Sequence, residues 1–173
     1  MKRISNRLIV LSGIPGSGKS TYCNLIKEFY EPQGISVHIV SSDEIRYELD
    51  GSYSSFKNEK EVWSKFNNKA YELSKEDHSI VILDATTLTN KQRYDYALKF
   101  KAYYKQIYLV VMDTPFEQCL KQNKMRPENK WVPEDVMERM KNRMEPIDRY
   151  TCFSYFYSVE YFRPGDKIRL ERI

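Results

Sequence analysis

Cysteine and histidine are scarce here, with three of the first and two of the second in 173 residues. Cys23, Cys119 and Cys152 are scattered and odd in number, with no pair at metal-ligand spacing. That pattern argues against a disulfide framework or a zinc site and predicts a reducing, cytoplasmic setting. Long apolar runs are missing as well, since no stretch approaches the roughly 20 residues needed to span a bilayer. The basic start at Lys2, Arg3 and Arg7 leads only into Leu8 to Leu11, too brief for the apolar core of a signal peptide. Strong net charge is also absent. A formal charge of +4 and a pI near 8.8 suit polyanionic partners such as nucleotides or nucleic acid, without demonstrating nucleic-acid binding. Internal repeats and low-complexity tracts are lacking, and His38 and His78, in or beside apolar strand patterns, read as structural.

What is present is enough apolar material, 41% with 14% aromatic, to fill the core of one domain spanning 1–173. Short β-branched runs at Leu8–Leu11, Ile35–Val40, Ile80–Leu83 and Ile107–Met112 read as buried strands, with a weaker candidate at Tyr157–Phe162. Helical patterns alternate with them over Lys19–Phe29, around Val62, Phe66, Ala70 and Leu73, and over Gln92–Phe100, Phe116–Lys124 and Glu134–Met144. This order predicts an α/β three-layer sandwich, a parallel sheet between helices, with ligands beyond the carboxyl ends of the strands. Ser41 with Glu44, Thr89 with Gln92 and Thr114 with Glu117 have capping-box spacing, and Pro115 suits a first helical position. Two polar stretches, 50–58 and 123–133, read as mobile loops, the second as part of a small lid at about 121–133. The aromatic stretch from Tyr150 to Phe162 reads as strand-like packing rather than a base-stacking platform.

Glycine is sparse, yet three residues of that type fall at 13, 16 and 18, in Gly13-Ile14-Pro15-Gly16-Ser17-Gly18-Lys19-Ser20. This pattern, between an expected strand and an expected helix, is the phosphate-binding P-loop. Its glycines let backbone N–H groups curl toward phosphate oxygens while the helix N-terminus adds positive potential. Lys19 then reaches the β- and γ-phosphates, and Ser20 is placed to ligate magnesium, so ATP and Mg2+ are the expected ligands. The loop alone does not distinguish a kinase from GTPases, motor ATPases and transporters.

Phosphate transfer needs a base and cations facing the γ-phosphate. Asp43 and Arg46 follow the second strand, and a helical turn there puts them on one face. Spacing alone reads equally as a first-turn acid paired with a nearby arginine, and their place at the strand's carboxyl edge favours the functional reading. Asp84 closes the third strand and can approach the magnesium shell, the competing reading being a strand-end cap. Asp113, followed at once by Thr114-Pro115, reads as structural. In the expected lid, Lys121, Lys124, Arg126 and Lys130 are basic, with Arg126 the choice for a cation closing over the phosphates. For any single lysine there, a solvated helix end is the alternative.

Laid out in this order, the loop through Thr21, Ser42-Asp43-Glu44-Ile45-Arg46, Val81-Ile82-Leu83-Asp84-Ala85-Thr86, and Val132-Pro133-Glu134-Asp135-Val136 with Met140 resemble the kinase domain of bacterial and phage polynucleotide 5′-kinases. The resemblance covers most of the chain. It implies an ATP-dependent kinase with a 5′-hydroxyl nucleic-acid end as acceptor, Asp43 as general base, Arg46 gripping an acceptor phosphate and Arg126 as the lid arginine. It implies nucleotide contacts from Gly13, Pro15, Gly16, Ser17, Gly18, Lys19, Ser20, Thr21 and Arg126. Where that family carries Arg-Asn this chain has Gln122-Asn123, so one lid cation is missing or replaced by Lys121. A small-molecule kinase and a regulatory nucleotide-binding NTPase are the alternatives.

Overall fold

A computed structural model of the chain describes residues 6–168. Lys2 and Arg3 of the basic start lie outside that range. Five strands, β1 Arg7–Ser12, β2 Ser36–Ser41, β3 Ser79–Asp84, β4 Gln106–Met112 and β5 Ser158–Phe162, form one parallel sheet in the order β2-β3-β1-β4-β5. Parallel strands need crossovers, and the helices that provide them cover both faces.

Alternation along each strand sorts the core. Leu8, Val10, Val81, Leu83, Leu109 and Val111 face one side, packed with Ile45, Val62, Phe66, Ala97 and Phe100. Ile9, Leu11, Ile80, Ile82, Tyr108 and Val110 face the other, against Tyr22, Cys23 and Ile26. The first helix, α1 Lys19–Tyr30, thus lies alone against one face, while α2 Ser42–Asp50, α3 Glu59–Leu73, α4 Asn90–Phe100 and α7 Arg149–Tyr155 cover the opposite one. Between β4 and α7 run α5 Phe116–Lys124, a 3₁₀ turn Glu128–Lys130 and α6 Glu134–Arg143. Both are fastened to the site by a third apolar cluster, in which Cys119 and Met137 meet Ile14 and Leu88.

The expected strands and helices stand within a residue or two of the observed ones, and the three-layer α/β architecture is as expected. The exceptions have visible causes. Tyr150 to Tyr155 is helical because Cys152, with Phe156 four residues on, buries against the core below α4, a helical and not an alternating spacing. Thr114 does not cap α5, since its Oγ1 donates to the Ser17 carbonyl at 2.7 Å, and Pro115 is the N-cap rather than the first helical residue. Ser41 makes half of its expected box, accepting from the Glu44 amide at 3.3 Å, while the Glu44 carboxylate turns elsewhere. Thr89 and Gln92 make the full one. Residues 51–58 are tied back by Asn58 Nδ2 donating to Asp50 Oδ1 at 2.6 Å and by Tyr53 OH donating to Glu44. Among the described residues no helix is long and apolar enough to cross a membrane. All three cysteines are free and buried, and burial pushes each thiol up from its ordinary value.

Candidate functional site

The carboxyl ends of β1, β2 and β3 meet at one edge of the sheet, with Ser41 directly opposite Asp84 in the β2–β3 register. From the end of β1 the chain turns through the glycine-rich loop into α1. Its entry is held by the Gly13 amide donating to the Thr86 carbonyl at 2.8 Å and by Ser12 Oγ donating to the Thr87 carbonyl at 2.7 Å. Gly16 (φ 75°) and Gly18 (φ 102°) take left-handed conformations that cost an L side chain about 1–2 kcal/mol. Space is closed to a side chain as well. A Cβ on Gly16 would run into the Cys119 carbonyl of α5, and one on Gly18 would come within 2.5 Å of Pro164 Cγ, in the turn after β5. The loop is thereby cradled by α5 and the turn after β5.

Within this loop Ser17 is 2% exposed, and its Oγ has no hydrogen-bond partner among the described residues. Lys19 Nζ donates to the Gly13 and Ile14 carbonyls at 3.0 and 3.1 Å, which leaves the ammonium one of its three protons for a ligand oxygen. Ser20 and Thr21 are exposed in the first turn of α1, and Pro15 is half-buried. A curled backbone, a buried hydroxyl and a cation with a spare donor match the needs of a polyphosphate.

Lys19, Asp84, Asp43 and Arg126 are brought into one electrostatic neighbourhood. Burial pushes the Lys19 ammonium down, Asp84 and Asp43 pull it back up, and Arg126 opposes them. Burial pushes the Asp84 carboxyl up, the Lys19 charge draws it down, Asp43 raises it and Arg126 lowers it. An added divalent cation would relieve the like-charge pressure between the two aspartates. Among the described residues no group of three or more His, Cys, Asp or Glu could hold a metal ion. Magnesium, which keeps several waters and takes one or two protein ligands beside phosphate oxygens, would find those ligands in Ser20 and Asp84.

Arg46 departs from the expectation. Its side chain is 5% exposed, and it donates from Nε and Nη2 to the two Glu59 oxygens (2.7 and 3.1 Å) and from Nη1 to Asp43 Oδ1 (2.7 Å). The Phe56 ring lies 4.9 Å from its Cζ. Burial works against the guanidinium, and Glu59 and Asp43 together hold its pKa above the ordinary value. The cation expected to grip an acceptor is occupied by two carboxylates of its own chain.

The segment 121–133 approaches from the other side. Gln122 Nε2 donates to the Gly16 carbonyl, so the amide that stands in place of a lid cation braces the loop instead. Asn123, buried, donates to the Val132 carbonyl and accepts from the Val132 amide, closing the turn. Arg126 hydrogen-bonds Asn123 at 3.5 Å, and its carbonyl accepts from Trp131 Nε1 at 2.7 Å. At the tip, Lys130 Nζ meets Glu44 Oε1 at 2.7 Å and lies 4.6 Å over the Tyr53 ring, which stacks on Tyr47. Lys121 and Lys124 are exposed. Asp113 is structural as expected, its carbonyl accepting from Arg163 Nε at 2.8 Å.

Three groups escaped the sequence reading. Glu59 stands thirteen residues from Arg46, and the Glu44–Lys130 pair spans 86 residues, with no periodicity to announce either. Arg93 did leave a signal, because it shares an apolar helix face with Ala97 and Phe100. It is fully buried, donating to Ser12 Oγ, Asn90 Oδ1 and the Leu88 and Glu145 carbonyls at 2.6–3.2 Å. It therefore knots the root of the loop to the exit of α6.

Sheet order, loop and strand-end aspartate define a P-loop protein of the kinase-like α/β fold. The Mycobacterium tuberculosis APS kinase CysC, solved with AMPPNP and APS, shares the fold at 16% identity over 94% of this chain and 91% of that one, TM-score 0.60. A chain of the Pnkp1/Rnl/Hen1 RNA repair complex shares it at 24% identity over 91% of this chain and 48% of that one, TM-score 0.70. The likeness to polynucleotide kinases thus reaches the fold. The family is a different one. The model for the chromatin associated protein KTI12 matches residues 7–152, and the chain belongs to the KTI12 family. The Xenopus laevis KTI12 homolog is 27% identical over 168 residues, covering 96% of this chain and 59% of that protein. Chaetomium thermophilum Kti12, solved with ADP-AlF3, superimposes over 95% of this chain and 93% of that one at 18% identity, TM-score 0.71.

Proposed function

We propose that this chain is a regulatory nucleotide-binding module that hydrolyses ATP, with water in the place where a kinase holds its acceptor. The observation that carries this reading is the state of Arg46. A kinase for a phosphate-bearing acceptor needs a free cation at that edge, whereas this guanidinium is held by Glu59 and Asp43. The trio carries a net negative charge, which repels a polyanion. Membership of a family described as chromatin associated supports a regulatory role.

In this reading the triphosphate lies along Gly13 to Ser20, in contact with the loop backbone, Pro15, Ser17 and Thr21. Ser20 and Asp84 would hold magnesium, which would supply neutralisation of the phosphate charge. Lys19 donates a hydrogen bond from its remaining N–H to a phosphate oxygen, and Arg126 faces the same group from the 121–133 segment, acting as the lid cation. Asp43 accepts a proton from water as its oxygen bonds to the γ-phosphorus. The bond from that phosphorus to the β–γ bridging oxygen breaks, and ADP and phosphate leave.

The polynucleotide 5′-kinase reading keeps this donor half and replaces water by a 5′-hydroxyl. The place of Asp43 favours it equally; the occupied Arg46 does not. A small-molecule kinase would use the same groups. Three buried free thiols fit any reducing compartment, the cytoplasm expected from the sequence as well as the chromatin of the family's description. The test is γ-labelled ATP with magnesium, offered to the purified protein alone and beside 5′-hydroxyl DNA, RNA, nucleosides and sugars. Label is expected in free phosphate with every acceptor. Label on an oligonucleotide end would transfer the assignment to the kinase, and failure to bind any nucleoside triphosphate would remove both.

A further inference from the structure

Asp43 sits in the first turn of α2 with its side chain 55% exposed. A carboxylate so placed has free rotamers, and attack geometry tolerates little error: a misplacement of about 1 Å costs roughly 100-fold. Something must hold it. Arg46 does so through one hydrogen bond, but a single N–H leaves the guanidinium free to swing about its own side-chain torsions. Glu59, at the start of α3, removes that freedom. Its two oxygens take the Nε and Nη2 protons side-on, the planar two-point geometry that fixes orientation as well as distance. The Phe56 ring lies over the guanidinium, and with Nε and Nη2 held by Glu59 the Nη1 group is directed at Asp43 Oδ1. Oδ1 being engaged, Oδ2 is the oxygen presented to a proton donor.

We infer that Glu59 is a positioning residue for phosphate transfer, acting through Arg46 to set the Asp43 carboxylate, and that Arg46 serves this relay and not acceptor binding. The inference rests on the hydrolytic reading above. It assigns a role to the α2–α3 pair as a whole: α3 reaches the reaction only by way of α2. It also makes Glu59 a determinant of acceptor class, since its charge is what occupies the cation that a phosphorylated acceptor would need.

The experiment is steady-state ATP hydrolysis by wild type, Glu59→Ala, Glu59→Gln, Asp43→Asn and the Glu59→Ala/Asp43→Asn double variant, each normalised to nucleotide-binding stoichiometry. Glu59→Ala is expected to lower kcat by about 10- to 100-fold with KM for ATP within about twofold. Glu59→Gln, which keeps one acceptor oxygen for Nε, is expected to recover most of that loss and guards against a variant that does not fold. In the double variant the Glu59 substitution is expected to add nothing, because it acts only through Asp43. Full additivity in the double variant, or a Glu59→Ala enzyme with normal kcat, overturns the relay while leaving hydrolysis standing. Absence of turnover in wild type overturns the hydrolytic reading and the relay together.

Discussion

The phosphate loop draws nearly all its features from eight consecutive residues and their backbone, whereas the wall facing it is assembled from Asp43 and Arg46 on α2, Glu59 on α3 and Lys130 in a distant turn. One half is written locally, by φ angles and spacing. The other exists only once helices far apart in the chain have packed. A half set by backbone geometry is hard to alter, while the facing half is free to change what it holds, since changing a side-chain partner there leaves the backbone alone. In this chain that half holds Glu59, whose two oxygens occupy the Arg46 guanidinium.

Substitutions in the two halves test this contrast, and their expected effects fall in a clear order. Lys19→Ala strikes the donor half and is expected to lower hydrolysis by about 100- to 1000-fold, the range for losing one preorganised charge donor. Turnover assays that showed less than a tenfold loss would mean the loop is not where the phosphates lie. Asp43→Asn strikes the other half. It is expected to cost about 100-fold in turnover while nucleotide affinity, read by calorimetry, stays within about twofold. Equal losses in both quantities would erase the distinction between the halves.

Asp84→Asn separates stability from binding. Burial raises the Asp84 carboxyl above its ordinary value, so the ionised group costs the nucleotide-free fold something that an amide does not. Thermal unfolding without nucleotide is expected to rise by about 2–4 °C, with magnesium-dependent nucleotide affinity falling. The smallest effect belongs to Lys130→Ala. A partly exposed ion pair contributes about 0.2–1 kcal/mol and is screened by salt. Nucleotide release, followed with a fluorescent ADP, is expected to quicken by up to about fivefold at low salt, and the gap is expected to close at high salt.

The same contrast explains what the sequence could disclose. Strands β1 to β4 were legible because short β-branched runs between turn residues have few other readings, and the loop was legible because its motif carries its own geometry. Asp43 and Arg46 were found because they are three residues apart on one helix. What Arg46 touches was not, since Glu59 lies beyond a polar connection and nothing in the spacing reports a tertiary ion pair. The side-chain bulk of the aromatic stretch from Tyr150 suggests sheet, while the spacing that decides its first half is helical, Cys152 to Phe156. Gln122 looked like a missing cation and is a brace on Gly16. Family membership was beyond the motifs as well, because the loop, the Asp43–Arg46 pair and the strand-end Asp84 that carry the resemblance to polynucleotide kinases do not by themselves separate them from the KTI12 family.

Arg93 carries a last consequence. It is a fully buried arginine whose partners are the hydroxyl of Ser12, just before the loop, an amide oxygen, and the carbonyls of Leu88 and Glu145. A force applied at the exit of α6 is thus passed through the planar Arg93 guanidinium to Ser12, at the root of the cradle. Linkage then demands reciprocity: if a binding partner seated on the stretch around Glu145 tightens nucleotide affinity by some factor, nucleotide must tighten that partner by the same factor.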